Sequence, residues 1–126
     1  MGFSEAVRTV LNKYATFEGR ARRAEYWYFT LVSVILSIVV QIIGAAGREG
    51  GLITLLLLGI ICLVSLALII PGIAVSVRRL HDTGRSGWFL LIALIPIVGG
   101  ILLLVWMCSR GTDGPNRFGA DPIPAV

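Results

Sequence analysis

The chain has 126 residues, 56% of them hydrophobic and only 14% charged, with a formal net charge of +4. Soluble domains carry about 25% charged residues, so this composition, drawn out in long uninterrupted apolar runs, excludes an ordinary soluble globule. The cations flank those runs, which makes lipid headgroups rather than nucleic acid the expected partner.

In chain order, residues 3–16 form the first expected element. Phe3, Val7, Val10, Leu11 and Tyr14 fall on one helical face, while Glu5, Arg8, Asn12 and Lys13 fall elsewhere. That is an amphipathic helix of interfacial type. Periodicity alone does not separate a helix lying on lipid from one packed on the protein's own loop. "FEGRARRAEYW" follows, where Gly19 suits a break before the first span. Arg20, Arg22 and Arg23 then sit at headgroup depth, each contributing on the order of 1 kcal/mol of attraction to an anionic surface. Glu25, an acid at the membrane edge, is expected to pair with Arg22, Arg78 or Arg79.

Three apolar runs come next, at 26–43, 52–77 and 88–108. Each approaches or exceeds the roughly 20 residues that cross a bilayer core about 30 Å thick. Helices are expected, because in lipid the backbone must bond to itself; nothing alternates as a barrel strand would. Small residues at 44–47 could end a signal peptide, but a segment as long as 1–25 before the run favours an uncleaved anchor. The second run would reach about 39 Å as a helix, so it tilts, kinks at Pro71, or pushes its last turn into the interface. Tyr26, Trp27, Trp88 and Trp106 stand where aromatic rings anchor at headgroup level.

"VRRLHDTGRSGW", residues 77–88, separates the second and third runs. Arg78 and Arg79 read as stop-transfer charge. Asp82 and Thr83 suit bonds to nearby backbone, Gly84 a positive φ, and Ser86 a helix cap. His81 beside Asp82 invites an acid–base reading, yet adjacent helical residues do not face each other. One histidine without a carboxylate cluster makes no metal site, and "TGRSG" lacks the spacing and lysine of a phosphate loop. Cys62 and Cys108 lie in apolar surroundings and behave as small hydrophobes. No catalytic residue, metal or cofactor is assigned, and no enzyme is expected.

"PIVGG" at 96–100 interrupts the third run. Two readings stand: a kinked single span, or a re-entrant hairpin whose arms of about 12 Å are too short to cross. A straight span places Arg8, Lys13, Arg20, Arg22, Arg23, Arg78, Arg79 and Arg85 in the cytoplasm, with Arg48, Arg110 and Arg117 outside. The hairpin returns the tail to the cytoplasm and leaves only Arg48 outside. Both put the N-terminus in the cytoplasm. The tail, 109–126, is rich in Gly, Pro, Asn and Asp and reads as successive turns, with Phe118 as a docking point. The fold class is thus an all-α integral membrane protein, a single membrane domain over 1–126.

Three segments together carry a resemblance. "GRARRAEYW" contributes Gly19, Arg20, Arg23, Glu25, Tyr26 and Trp27. "RRLHDTGRSGW" contributes Arg78, Arg79, Leu80, His81, Asp82, Ser86 and Trp88. "GTDGPNRFGADP" contributes Gly111, Gly114, Asn116, Arg117, Phe118, Gly119, Asp121 and Pro122. In these the chain resembles the domain of unknown function 805 family, the YhaH-like bacterial inner-membrane proteins; Phe89 stands where that family often has a second tryptophan. The resemblance implies a small multi-pass helical protein of the bacterial inner membrane and no assigned activity. If the three motifs form one site, they must share one side of the membrane, which the hairpin allows.

Two function classes follow. The first is a membrane binding or scaffold module whose cytoplasmic cluster of Arg20, Arg23, Glu25, Arg78, Arg79, His81, Asp82, Arg85, Asn116 and Arg117 holds anionic lipid headgroups, a membrane protein partner or a second copy of the chain. The second is an oligomeric small transporter or channel subunit. Against the second, the spans contain no ionisable residue, and intramembrane charge usually marks such pathways; their polar residues are Ser33, Ser37, Gln41, Thr54 and Ser65.

Overall fold

A computed structural model describes residues 2–47 and 50–123. Arg48, on which the charge count for the first connection depends, lies outside the described residues. The elements in order are α1 (Phe3–Asn12), α2 (Arg23–Ala46), α3 (Gly51–Ala67), α4 (Ile69–Asp82), a 3₁₀ segment (Gly87–Leu94) and α5 (Val98–Cys108). The described residues form no strand, only one isolated bridge between Asn116 and Gly119 in the tail.

α2 has 24 residues, and α3 with α4 makes one helix of 32 residues interrupted only at Leu68. At 1.5 Å per residue these reach about 36 Å and about 48 Å, both long enough for a hydrocarbon core. α3 buries none of its residues. The buried set is instead strongly polar, comprising Arg20, Glu25, Arg78, Arg79 and Asp82 beside a small apolar core of Val10, Ala21, Phe29 and Val75. Charge inside and bare leucine outside inverts a soluble domain. It is the arrangement of a membrane protein whose outer faces meet lipid.

The interruption at Leu68 has a local cause. Pro71 has no N–H, so the carbonyl four residues back, that of Ala67, loses its helical donor. The Tyr14 hydroxyl fills that place by donating to the Ala67 oxygen. Tyr14 lies just past the end of α1, which stops at Asn12 rather than continuing to 16. α1 packs on both α2 and α4, burying Ala6 and Val10, while Phe3, Leu11 and Tyr14 stay largely exposed. The amphipathic helix packs an inner stripe on the protein, on α2 and α4, and leaves apolar flanks exposed. Phe3 meets Tyr28 of α2 edge-on, with ring centroids 5.7 Å apart.

The third apolar run folds back on itself as a hairpin, not as one kinked helix. The 3₁₀ segment and α5 pack against each other, bringing Phe89 near the start of one arm within 5.6 Å of Trp106 near the end of the other, centroid to centroid. The turn centres on Ile97, at φ 66° and ψ −65°, with Val98 N–H bonded to the Pro96 carbonyl at 2.7 Å. This is a γ-turn of the strained hand, unusual for a β-branched residue. Gly99 lets the arms close: a Cβ there would lie 1.7 Å from the Ile92 carbonyl oxygen. At about 2.0 Å per residue the 3₁₀ arm reaches about 16 Å, roughly half the bilayer core.

Candidate functional site

The hairpin returns the tail to the end of the molecule where α2 begins and α4 finishes. Gly84 takes the expected positive φ, at 79°, the break expected at Gly19 has a positive φ of 88°, and Ser86 accepts from Trp88 N–H at 3.3 Å to cap the 3₁₀ segment. With those turns in place, the three motif segments meet in one cluster.

Asp82 is the hub. It does not bond nearby backbone through its carboxylate, as the local reading of its loop expected. Its Oδ1 accepts from Arg20 Nε at 2.9 Å, and its Oδ2 from Arg79 Nη1 at 2.6 Å. Arg78 pairs with Glu25, which selects one of the three partners expected for that acid. All five groups are buried. Three guanidiniums against two carboxylates leave an excess positive charge, and backbone carbonyls answer it. Arg20 donates to Thr112 O at 2.5 Å and Gly114 O at 2.6 Å. Arg79 donates to Met107 O at 3.2 Å and to Ser109 O. Arg78 Nε donates to Thr16 O at 3.1 Å, while its Nη2 is the buried side-chain nitrogen without a partner among the described residues.

These bonds also cap α5. The last carbonyls of a helix lack internal donors and carry partial negative charge. Here Arg79 and Trp27 Nε1 serve Met107, and Arg23 serves Cys108 at 3.2 Å. The tail backbone then passes directly against the hub: Thr112 N–H donates to Asp82 O at 2.7 Å. Only glycine fits beside it, since a Cβ at Gly111 would stand 2.0 Å from Asp82 Oδ2. Further along, Asn116 Nδ2 donates to His81 O at 2.9 Å, and its Oδ1 accepts from Phe118 N–H. Backbone N–H groups of Ile123 and Gly114 hold the Asp121 carboxyl below its ordinary pKa, fixing the last turn.

His81 sits at the seam. Its Nδ1 lies 2.9 Å from the Gly19 carbonyl, which can only accept, so Nδ1 holds the proton. Phe118 stacks on the ring at 4.0 Å and 2°, and the Arg117 guanidinium lies over the Phe118 ring at 4.6 Å. Arg85 lies over Trp106 at 4.8 Å.

All ten expected cluster residues thus lie at one end, but they divide. Arg20, Glu25, Arg78, Arg79 and Asp82 are buried and engaged within the chain, whereas Arg23 and Arg117 are exposed and His81, Arg85 and Asn116 half-buried. The surface rim also includes Arg8, Lys13, Arg22 and Arg110. The anchors Trp27 and Trp106 join this end through Met107 and Phe89, and Trp88 is 80% exposed. Sequence reasoning missed Tyr14 as a carbonyl partner and Gly111 as a close-approach point.

Cavities adjoin the cluster on several sides, among them one of about 250 Å³ lined by Arg22, Arg23, Asp82, Arg110 and Gly111. Another, of about 410 Å³, lies between α2 and the α3–α4 joint and is lined by Ser33, Ser37, Ser65 and Ser76; Ser76 and Thr30 add to the polar residues of the apolar runs. A third, of about 430 Å³, lies beside His81, Ser86 and Trp88. The described residues contain no group of metal-ligating side chains.

A family model described as protein of unknown function, DUF805, matches residues 14–120. The inner membrane protein YhaI of Escherichia coli strain K12 is 43% identical over 115 residues, covering 90% of this chain and 92% of its own. The inner membrane protein YhaH of the same strain is 44% identical over 119 residues, with the same coverage. YiiR, described as uncharacterized, is 30% identical over 135 residues, covering 84% and 85%. No solved structure matches.

Proposed function

This chain belongs to the DUF805 family of proteins of unknown function, and from that premise we propose that it is a multi-pass protein of the bacterial inner membrane acting as a non-enzymatic binding module for anionic headgroups at the cytoplasmic face. The observation that supports this reading is the rim. Arg8, Lys13, Arg22, Arg23, Arg110 and Arg117 stand around a buried network that pairs Arg20 and Arg79 with Asp82 and Arg78 with Glu25. Arg110 pairs with Asp113 at 3.2 Å and Arg23 donates to Cys108 O, but both are exposed, so the rim's cations can still meet a surface, and aromatic anchors at the same end set them at headgroup depth. The positive-inside rule orients this end, and with it both termini, toward the cytoplasm.

The test is lipid composition. The protein is extracted with its surrounding lipid in polymer nanodiscs, and anionic phospholipid is compared with the bulk membrane. Enrichment is expected, and replacing Arg22, Arg23, Arg110 and Arg117 by glutamine removes it. Bulk composition in the wild-type discs overturns the reading, and alkaline-phosphatase activity from a C-terminal fusion overturns the orientation. The runner-up, an oligomeric transporter or channel subunit, draws on the serine-lined cavity. It lacks the charge that usually marks such pathways, and a monomeric mass in the same discs counts against it.

A further inference from the structure

The cavity beside His81 has two unlike ends. Along one wall Ile73 and Val77 of α4 face Leu91 of the 3₁₀ segment, with Phe17 of the N-terminal loop closing the side. The lining positions Ile73, Val77 and His81 span eight residues of α4, about 12 Å of helix, while Arg78 and Arg79 of the same stretch are committed to Glu25 and Asp82. Its volume of about 430 Å³ falls within the range of roughly 300–1,000 Å³ usual for ligand sites.

The other end is polar and has uncommitted capacity. His81 Nδ1 is used by Gly19, and Nε2 has no hydrogen bond within the described residues. Ser86 Oγ accepts from Trp88 N–H, so its own O–H remains free to donate. Arg85 adjoins Ser86 in the chain, with its guanidinium over Trp106 at 4.8 Å, and Arg117 reaches this end too, with Nη2 3.4 Å from the Gly84 carbonyl and its guanidinium over the Phe118 ring that stacks on His81. Glu18, the acid next to Phe17, is exposed, and Asp82 is already paired.

An apolar slot with a cationic, donor-bearing mouth, at the level of an exposed tryptophan, is complementary to an amphiphile with a negative head. We infer that this cavity seats one acyl chain of a single anionic glycerophospholipid, with the phosphate at Ser86, Arg85 and Arg117. The inference rests on the proposed anionic-headgroup reading and deepens it, turning a general rim attraction into one defined seat.

Native mass spectrometry of the full chain in mild detergent tests it, using phosphatidylglycerol and phosphatidylcholine with identical acyl chains. A one-to-one adduct is expected, favouring phosphatidylglycerol by about five-fold for each cation engaged. Arg85→Gln or Arg117→Gln lowers the phosphatidylglycerol adduct by about that factor and leaves the phosphatidylcholine adduct unchanged. Leu91→Trp and Ile73→Phe fill the slot and remove the adduct. A phosphatidylglycerol adduct that persists at wild-type level in both filling variants overturns the seat while leaving the rim reading intact. Equal adducts of the two lipids on the wild type overturn both. Trp88 gives a readout that needs no cavity variant. In a chain carrying Trp27→Phe and Trp106→Phe, a minor fraction of chain-brominated phosphatidylglycerol should quench Trp88 more than the same fraction of brominated phosphatidylcholine. Equal quenching overturns the seat.

Discussion

Replacing Asp82 by asparagine keeps the shape of the side chain and removes its charge. The native carboxylate is 2% exposed and takes Arg20 through Oδ1 and Arg79 through Oδ2. Asparagine retains one acceptor oxygen and turns an amide donor toward one of the two guanidiniums. Two buried cations then share half an acceptor set, with Glu25 already taken by Arg78. Removing one partner of a buried ion pair costs about 3–5 kcal/mol, against total stabilities of about 5–15 kcal/mol. The melting midpoint of detergent-solubilised protein, followed by size-exclusion of the heated sample, should therefore fall on the order of 10 °C. A triple variant sharpens the argument. Apolar replacement of a whole buried ionic cluster is often neutral or stabilising, but here Arg20→Met and Arg79→Met with Asp82→Leu also strips the donors from Ser109, Thr112 and Gly114 and one of the two donors from Met107. Each stranded carbonyl costs about 1–3 kcal/mol, so the triple variant should melt no higher than Asp82→Asn. A midpoint within about 2 °C of wild type for Asp82→Asn, or a triple variant restored to it, would refute this account.

Two further outcomes follow from the backbone. Tyr14→Phe strands the Ala67 carbonyl and should cost about 1–3 kcal/mol, while Pro71→Ala returns the missing N–H, so in that background the same change should cost under about 0.5 kcal/mol; equal costs in both backgrounds in a double-mutant melting cycle refute the link. Gly99→Ala drives a methyl into the Ile92 carbonyl and should part the hairpin arms. Cross-linking between Phe89→Cys and Trp106→Cys by a short bifunctional reagent, with Cys62 and Cys108 replaced by serine, should then fall, and undiminished cross-linking contradicts the packing.

Much of this architecture was written in local chemistry. Apolar run length marked α2 and the α3–α4 helix, and the breaks at Gly19, Gly84 and Ser86 fell where φ preference and capping put them. The acid Glu25 could be narrowed to three arginines because so few carboxylates lie near the spans. What escaped was recognition by the main chain. A carbonyl has no residue code, so the donors of Arg20 and Arg79 could not be matched to residues 107–114 in advance. Tyr14 was within reach, since counting four back from Pro71 identifies an orphan at Ala67, but nothing in the sequence says which donor meets it. The third run was ambiguous for a different reason. Leucine and isoleucine suit a lipid-facing 3₁₀ arm as well as an α-helix, and only the closeness permitted at Gly99 decides for two arms over one.

The half-depth hairpin has a mechanical consequence. If the chain inserts as proposed, α1, the start of α2, α4 and both hairpin arms share the leaflet nearest the polar cluster, while only the end of α2 and α3 continue into the opposite one. Such an insertion is wedge-like. It would take up more lateral area in one monolayer than in the other and load the two leaflets unequally. A flat bilayer must absorb that imbalance as local bending or thinning around the narrow side.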